Sequence, residues 1–243
     1  MLVSKNQLKL FDQVEKRWGN RVDTQRVGVL GQSLGGYTVT ALAGAELDWP
    51  HLMRGCQPLN DPRTVVLNPA IVWQCKALGR VVKQTSFRDL RVKVAVAVNP
   101  VTNPIFSSRS ISHVEVPMLV IAGMNDVFAP PVSQQLSMFT SLRQPGSVLA
   151  VQQKGTHLSF LDATSNVPPV ITGPDQSLAR RELQGMAKLF FDKHLLGQEG
   201  TLPLAPAGDE AFQSGATPLP LLFRSSLTMQ QLEQVEPGLK EVP

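Results

Sequence analysis

A serine between glycines is the feature of this 243-residue chain whose residue types and spacing first suggest chemistry. The segment Gly31–Gly35 reads Gly-Gln-Ser-Leu-Gly; a short apolar run at 27–30 precedes it, and a small-residue stretch at 36–45 follows it. This order predicts a buried strand that turns sharply into a packed helix, with the serine at the turn. We expect glycines on both sides because a strained serine backbone leaves no room for side chains beside it. The pattern therefore predicts that Ser33 is a nucleophile.

A glycine-rich turn of this kind could also pack closely without doing any chemistry. The strand before the motif and the helix after it favour the catalytic interpretation, because both belong to the structural context of the motif. The first turn of that helix would point free N–H groups at the atom under attack, and its dipole favours a developing negative charge. We therefore expect the Leu34 N–H to donate to an oxyanion, and we group Gln32 with it as an oxyanion- or substrate-binding residue.

A serine hydroxyl needs a base beside it, and the base needs a third group that orients it. Asp126 follows an apolar run at 117–123, and His157 follows another at 147–152, so the chain order is serine, acid, histidine. Because the carboxyl ends of parallel strands meet at one edge of a sheet, the three side chains would lie close together. The sequence thus predicts a catalytic triad of Ser33, Asp126 and His157.

The other histidines and acids fit these roles less well. Three histidines do not follow a predicted strand: His51, His113 and His194. Among the acids, Asp162 is too near His157 along the chain, and Asp89 precedes a strand. Asp126 itself could instead be a turn residue that caps the next helix.

Apolar runs and helical spacing predict the elements that must position these residues. The predicted strands are 26–30, 91–99, 117–123 and 147–152, and the predicted helices are 4–19, 35–46, 68–78, 131–142 and 175–195. Strands that alternate with helices indicate a parallel sheet with right-handed crossovers. The predicted fold class is therefore α/β, with a parallel sheet of about four strands flanked by helices.

Breaker residues divide the chain further. Residues 1–196 form the predicted core, within which the irregular segment 47–89 resembles a lid, and 197–243 form a Pro/Gly-rich extended tail with one short helix at 228–234. Trp49 and Trp73, both in the lid-like segment, could line a hydrophobic site or simply pack. Cys56 and Cys75 lie in the same segment, either as a disulfide, which would imply an oxidising compartment, or as two buried thiols.

Composition excludes several partners. The net charge is +4 and the pI about 9.3, but the lysines and arginines are scattered, with no basic stripe that would suit nucleic acid. No apolar run approaches the roughly 20 residues that span a bilayer. The first residues do not form a signal sequence, so the chain as written predicts a cytoplasmic protein, and a leader on a longer form would make it periplasmic or secreted.

Together, the segments 27–37, 123–126 and 155–157 resemble the α/β-hydrolase family. Within it the chain looks most like bacterial predicted dienelactone hydrolases, which are related to platelet-activating-factor acetylhydrolases; the segments 73–78 and 221–232 are similar to the same group. The resemblance implies a serine esterase that forms an acyl-enzyme on carboxylic or lipid-type esters. Ser33 would be the nucleophile, His157 the base and then the acid, and Asp126 its orienter. The resemblance also implies a small-molecule ester as the partner, and no metal or organic cofactor.

The chain also departs from this family pattern in three places. Acetylhydrolases place the acid after the strand that here ends at Asn99, which cannot serve as an anion, so Asp126 is the better candidate. Dienelactone hydrolases use a cysteine nucleophile where this chain has Ser33. Members of the fold have further strands, and a His-Gly loop that supplies a second oxyanion N–H, before the serine motif, whereas only 25 residues precede Arg26 here.

This third departure predicts an N-terminally truncated α/β-hydrolase fold with an open apolar edge beside the first strand. A missing N-terminal half or a second copy of the chain could cover that edge. The alternative function is then a non-catalytic remnant, or a partner-dependent half of a split hydrolase that lacks part of the oxyanion hole.

Overall fold

A five-stranded sheet lies at the centre of the computed structural model. The structure describes residues 5–80, 83–162, 167–200, 202 and 219–235. The strands are β1 (Val27–Gln32), β2 (Val92–Val98), β3 (Met118–Gly123), β4 (Val148–Gln152) and β5 (Leu221–Arg224), in the spatial order β1-β2-β3-β4-β5. The first four are parallel, and β5 is antiparallel to β4. The predicted α/β class and all four predicted strands are confirmed.

Helices cover the sheet and connect its strands. They are α1 (Lys5–Trp18), α2 (Leu34–Ala43), α3 (Trp49–Gly55), α4 (Pro62–Leu67), α5 (Ala70–Cys75), α6 (Ser108–Ile111), α7 (Ser137–Ser141), α8 (Pro169–Thr172), α9 (Gln176–Leu196) and α10 (Met229–Val235). A π-helical turn, Val132–Leu136, leads into α7, and 3₁₀ turns occupy Gly19–Arg21, Gln57–Asn60 and Lys76–Arg80. Within the described residues, no helix combines the length and apolar character needed to cross a membrane.

The sheet is buried on both faces, which explains why its strands are apolar at nearly every position. Alternate residues of the central strands point to opposite layers, so Ala95 and Val120 pack with the helices around α2, whereas Val94 and Leu119 pack under α9. Lys93 is the exposed exception in β2. These two layers form the core and hold the carboxyl ends of the strands in fixed register.

The segment 197–243 contributes a strand that the sequence analysis did not predict. β5 pairs with β4, and its Phe223 is buried in the layer under α9. The short helix expected at 228–234 is present as α10. Within the predicted tail, 201, 203–218 and 236–243 lie outside the described residues.

The lid-like segment folds into three short helices joined by a covalent bridge. Cys56, after α3, and Cys75, at the end of α5, form a disulfide with their Cα atoms 5.7 Å apart, which decides between the two alternatives for these cysteines. Trp49, the first residue of α3, is buried in the core, whereas Trp73 is exposed on α5.

Glu182, on α9, lies against the end of β4. The Gln152 Nε2 donates to a carboxylate oxygen of Glu182 at 2.8 Å, while the buried Oε1 of Gln152 has no hydrogen-bond partner among the described residues. Burial raises the pKa of the Glu182 carboxyl above its usual range. When folding raises the pKa of a carboxyl group, the free energy of unfolding falls as the pH rises through the pKa of the folded state.

We therefore expect Glu182→Gln to stabilise the protein at pH 7. The neutral amide keeps the bond from Gln152 and adds a donor for its unpartnered oxygen, a gain of about 1 kcal/mol or roughly 2–4 °C in Tm. At pH 4, where the wild-type carboxyl is protonated, the difference should shrink. Thermal melts at the two pH values measure this, and an unchanged or lower Tm at pH 7 would contradict it.

Candidate active site

The serine motif forms a sharp turn between β1 and α2. β1 ends at Gln32, α2 begins at Leu34, and Ser33 between them has φ 56° and ψ −117°. A non-glycine residue rarely adopts a positive φ, and such strain persists where the surrounding structure enforces it. Here the Ser33 N–H donates to the carbonyl of Val98 on β2 at 2.9 Å, which anchors the turn to the sheet.

Close approach of backbone explains two of the glycines near the turn. A Cβ at Gly31 would lie 2.3 Å from the carbonyl oxygen of Gly35, and one at Gly36 would lie 2.8 Å from the Cα of Pro100. The expected steric requirement at Gly35 is wrong, because a Cβ there would meet open space. The turn needs glycine at Gly31 and Gly36, which pack against the neighbouring backbone.

The structure brings the three predicted triad residues together. The His157 Nε2 lies 2.9 Å from the Ser33 Oγ, and the His157 Nδ1 lies 2.7 Å from the Asp126 Oδ2. Each residue directly follows, or closely follows, the carboxyl end of a parallel strand: β1, β3 and β4. The geometry is that of a nucleophile bonded to a base, with the base bonded to an acid.

Asp126 combines both roles that the sequence left open. Its Oδ1 accepts from the N–H groups of Phe128 and Ala129 at 2.9 and 2.8 Å, as a turn cap does. Its Oδ2 accepts from Gln135 Nε2 at 3.0 Å and faces His157. With an acceptor at Nδ1, the neutral imidazole carries its proton there and leaves Nε2 free to accept the serine proton.

His157 is held on several sides. The residue is 9% exposed, and the ring of Phe128 tilts over its imidazole at 5.6 Å between centroids. Its carbonyl oxygen accepts from Gln32 Nε2 at 2.5 Å. The amide nitrogen of Gln32 therefore binds the segment that carries the base. The role of Gln32 as an oxyanion- or substrate-binding residue stays a prediction.

The candidates that the sequence analysis set aside have contacts elsewhere. His113 pairs with Glu46, His194 packs against the ring of Phe190, Asp89 pairs with Arg91, Asp162 pairs with Arg180, and His51 is buried on α3. Burial lowers the pKa of His194 below its usual value, and the Arg91 guanidinium lowers that of Asp89. None of these groups is hydrogen-bonded to Ser33, Asp126 or His157 in the part of the chain described.

An apolar cavity of about 180 Å³ opens beside the Ser33 hydroxyl. Besides Ser33 and His157 it is lined by apolar side chains: Leu34, Pro69, Ala70, Trp73, Val101, Phe128 and Leu158. Trp73 thus lines a hydrophobic site, as one of its two interpretations expected, and Trp49 does not line it. Because Leu34 is the first residue of α2, its N–H has no acceptor within the helix and is free for an oxyanion.

Metal ligands do not gather anywhere in the described ranges. Residues 5–80, 83–162, 167–200, 202 and 219–235 contain no group of three or more His, Cys, Asp or Glu side chains that could hold a metal ion.

The sheet, the strained serine turn and the hydrogen-bonded Ser33, His157 and Asp126 are features of the α/β-hydrolase fold. Residues 4–161, which include all three triad residues, match the family model Peptidase_S9, described as the prolyl oligopeptidase family. The chain belongs to that family. No curated protein matches it.

A solved structure of acylaminoacyl peptidase from Pyrococcus horikoshii, in its orthorhombic crystal form, is similar to this chain. The two share 16% sequence identity over 82% of this chain, with a TM-score of 0.47. This chain spans 28% of the length of that peptidase.

Proposed function

We propose that this chain hydrolyses carboxylic esters through an acyl-serine intermediate. The observation that carries the proposal is the continuous hydrogen-bonded line from Ser33 through His157 to Asp126, at the mouth of an apolar cavity. A nucleophile, a base and its orienter in bonding distance are what acyl transfer by serine requires. The apolar lining suits an uncharged acyl group.

The proposed reaction has two halves. As the Ser33 Oγ bonds to the ester carbonyl carbon, His157 Nε2 takes the hydroxyl proton, and it then returns this proton to the departing alkoxide as the carbon–oxygen bond breaks. Water attacks the acyl-serine in the second half, again giving its proton to Nε2, and the acid product leaves when Ser33 recovers the proton. Asp126 stabilises the imidazolium that forms in each half.

The Leu34 N–H supplies a donor for the tetrahedral oxyanion. A donor of this kind is worth about 10²–10³ in rate. An alkoxide leaves more readily than an amine, so esters tolerate a weaker oxyanion site than peptides do. The easier departure of an alkoxide, together with the resemblance to dienelactone hydrolases and acetylhydrolases, favours esters over peptides as substrates.

Peptide hydrolysis is the second candidate, and the prolyl oligopeptidase family membership favours it. A third candidate, a hydrolase that acts only with a partner, follows from the place of β1. Within the described residues β1 pairs with β2 alone, and its Leu30 is 46% exposed. In that case a second chain would cover the edge of the sheet beside the nucleophile.

A matched pair of substrates separates these candidates. The purified chain should hydrolyse p-nitrophenyl butyrate at least 100-fold faster, in kcat/KM, than the p-nitroanilide of butyric acid, which carries the same acyl group. An anilide rate equal to the ester rate would favour the peptidase. A folded chain that hydrolyses neither substrate, and is not labelled by a fluorophosphonate, would contradict an active nucleophile and favour the partner-dependent candidate.

A further inference from the structure

Two side-chain amides hold the backbone that carries His157. Gln32 Nε2 donates to the His157 carbonyl oxygen at 2.5 Å. Asn99 Nδ2 donates to the Thr156 carbonyl oxygen at 3.0 Å and, at 3.4 Å, to that of His157. Asn99 is fully buried at the end of β2, and Gln32 is partly buried at the end of β1. Neither side chain lines the cavity beside Ser33, so both contact the backbone around His157 and not the substrate site.

The other end of the Asn99 amide holds the segment that carries the acid. Its Oδ1 accepts from the Gly123 N–H at 2.9 Å, and Gly123 is the last residue of β3, three positions before Asp126. The residue before Asn99, Val98, accepts from the Ser33 N–H. Asn99 therefore stands where the segments that carry the nucleophile, the acid and the base converge.

The main chain around Asn99 fixes which residue can serve there. The Gly123 N–H can only donate and the Thr156 carbonyl can only accept, so the position needs an acceptor and a donor on one short side chain. The backbone of Asn99 has φ 42°, in the left-handed region that Asn and Asp adopt more readily than other non-glycine residues. Asparagine provides both the acceptor-and-donor side chain and the left-handed backbone, whereas an ionised aspartate provides only the backbone conformation.

We propose that Asn99 and Gln32 are positioning residues that keep the His157 imidazole within reach of Ser33. This inference rests on the proposed hydrolase function. A backbone bond from the Asn125 N–H to the Gly155 carbonyl also joins the acid and base segments, at 2.8 Å. The two amides instead bind Thr156 and His157 themselves. A misplacement of about 1 Å at a catalytic group costs roughly 10²-fold in rate.

Asn99→Asp is the sharpest test. It keeps the size, the backbone preference and the acceptor for Gly123, but replaces the donor to Thr156 with a second acceptor. We expect kcat for p-nitrophenyl butyrate to fall roughly 10- to 100-fold, with KM nearly unchanged because the cavity is untouched. A loss of kcat without a change in KM is a result that a loss of stability alone would not produce.

Gln32→Met tests the second amide at a partly exposed position, where folding is not at risk. It removes the donor to the His157 carbonyl at similar side-chain length. The expected fall in kcat is roughly 2- to 10-fold, the effect of one net hydrogen bond on the barrier. If Asn99→Asp does not fold, this variant decides the question.

Val94→Ala is the matched control for lost stability. Val94 is fully buried on β2, the strand that Asn99 directly follows, and it packs in the layer under α9. The Val94→Ala substitution should lower Tm without changing kcat. Variants of Asn99 and Gln32 that lower Tm but keep wild-type kcat would overturn the proposal. A wild-type chain that is folded but neither labelled nor active would instead overturn the proposed function, and the positioning roles with it.

Discussion

Ser33→Ala is expected to abolish labelling by a fluorophosphonate and to lower ester hydrolysis by about 10⁶-fold, the loss seen when a triad nucleophile is removed. The variant lacks the Ser33 Oγ, the atom that lies 2.9 Å from His157 Nε2 and would attack the acyl carbon. Intact-mass analysis after labelling should show one adduct per wild-type chain and none on the variant.

Ser86→Ala provides the matched control, because Ser86 is exposed in a loop and has no bond to His157. It should label and turn over as the wild type does. An adduct that persists on the Ser33→Ala chain would show that another residue is the nucleophile, and it would contradict the proposed function.

Asp126→Asn is expected to lower kcat by about 10⁴-fold while the chain stays folded. The asparagine oxygen can still accept from the N–H groups of Phe128 and Ala129, so the turn cap survives. The new amide nitrogen faces His157 Nδ1 with a donor, which favours the tautomer that carries its proton on Nε2. In that tautomer the imidazole cannot accept the proton of Ser33.

Steady-state kinetics of Asp126→Asn, with circular dichroism and Tm as evidence of folding, measure this effect. The same variant also separates the two roles of Asp126. A kcat within tenfold of the wild type would mean that Asp126 serves as a turn cap alone. A large loss of kcat with an unchanged Tm would mean that its contact with the imidazole is what matters.

The sequence was sufficient to predict the central sheet because burial on both faces makes parallel strands apolar without interruption. β2 to β4 are apolar apart from Lys93 and the terminal Gln152, and the candidate residues Asp126 and His157 follow β3 and β4 within a few positions. The triad followed from the same rule, because residues beyond the carboxyl ends of parallel strands share one edge of the sheet. Asp126 and His157 could therefore be paired with Ser33 without any knowledge of their distances.

Other features could not be predicted, because they depend on contacts between segments distant in the chain. β5 has four residues, too few for a periodic pattern, and it forms because the edge of β4 is available. Asn99 was interpreted only as a residue unable to replace the acid, since its bonds to Gly123 and Thr156 exist only in the folded sheet. Gly35 shows the reverse error, where a motif glycine suggested a steric demand that the structure does not impose.

The resemblance was sufficient to predict the α/β-hydrolase fold before the structure. The chain matches the prolyl oligopeptidase family, and the finer likeness to dienelactone hydrolases and acetylhydrolases stays a prediction. The serine turn and the acid and histidine loops are shared across α/β-hydrolases, because acyl transfer imposes the same geometry on all of them. Substrate preference depends on the cavity walls, and here one wall comes from α5, in the irregular lid-like segment whose fold the sequence predicted least well.

The Cys56–Cys75 bridge gives that wall an assembly requirement that the triad does not have. Cys75 lies two residues beyond Trp73, so the bridge ties the aromatic side of the cavity to the end of α3. Each bridge that forms must hand two electrons to an acceptor outside the chain. Protein produced in a reducing cytosol would therefore carry an intact triad beside a wall without its disulfide, and the choice of expression host would affect which substrates the proposed hydrolase accepts.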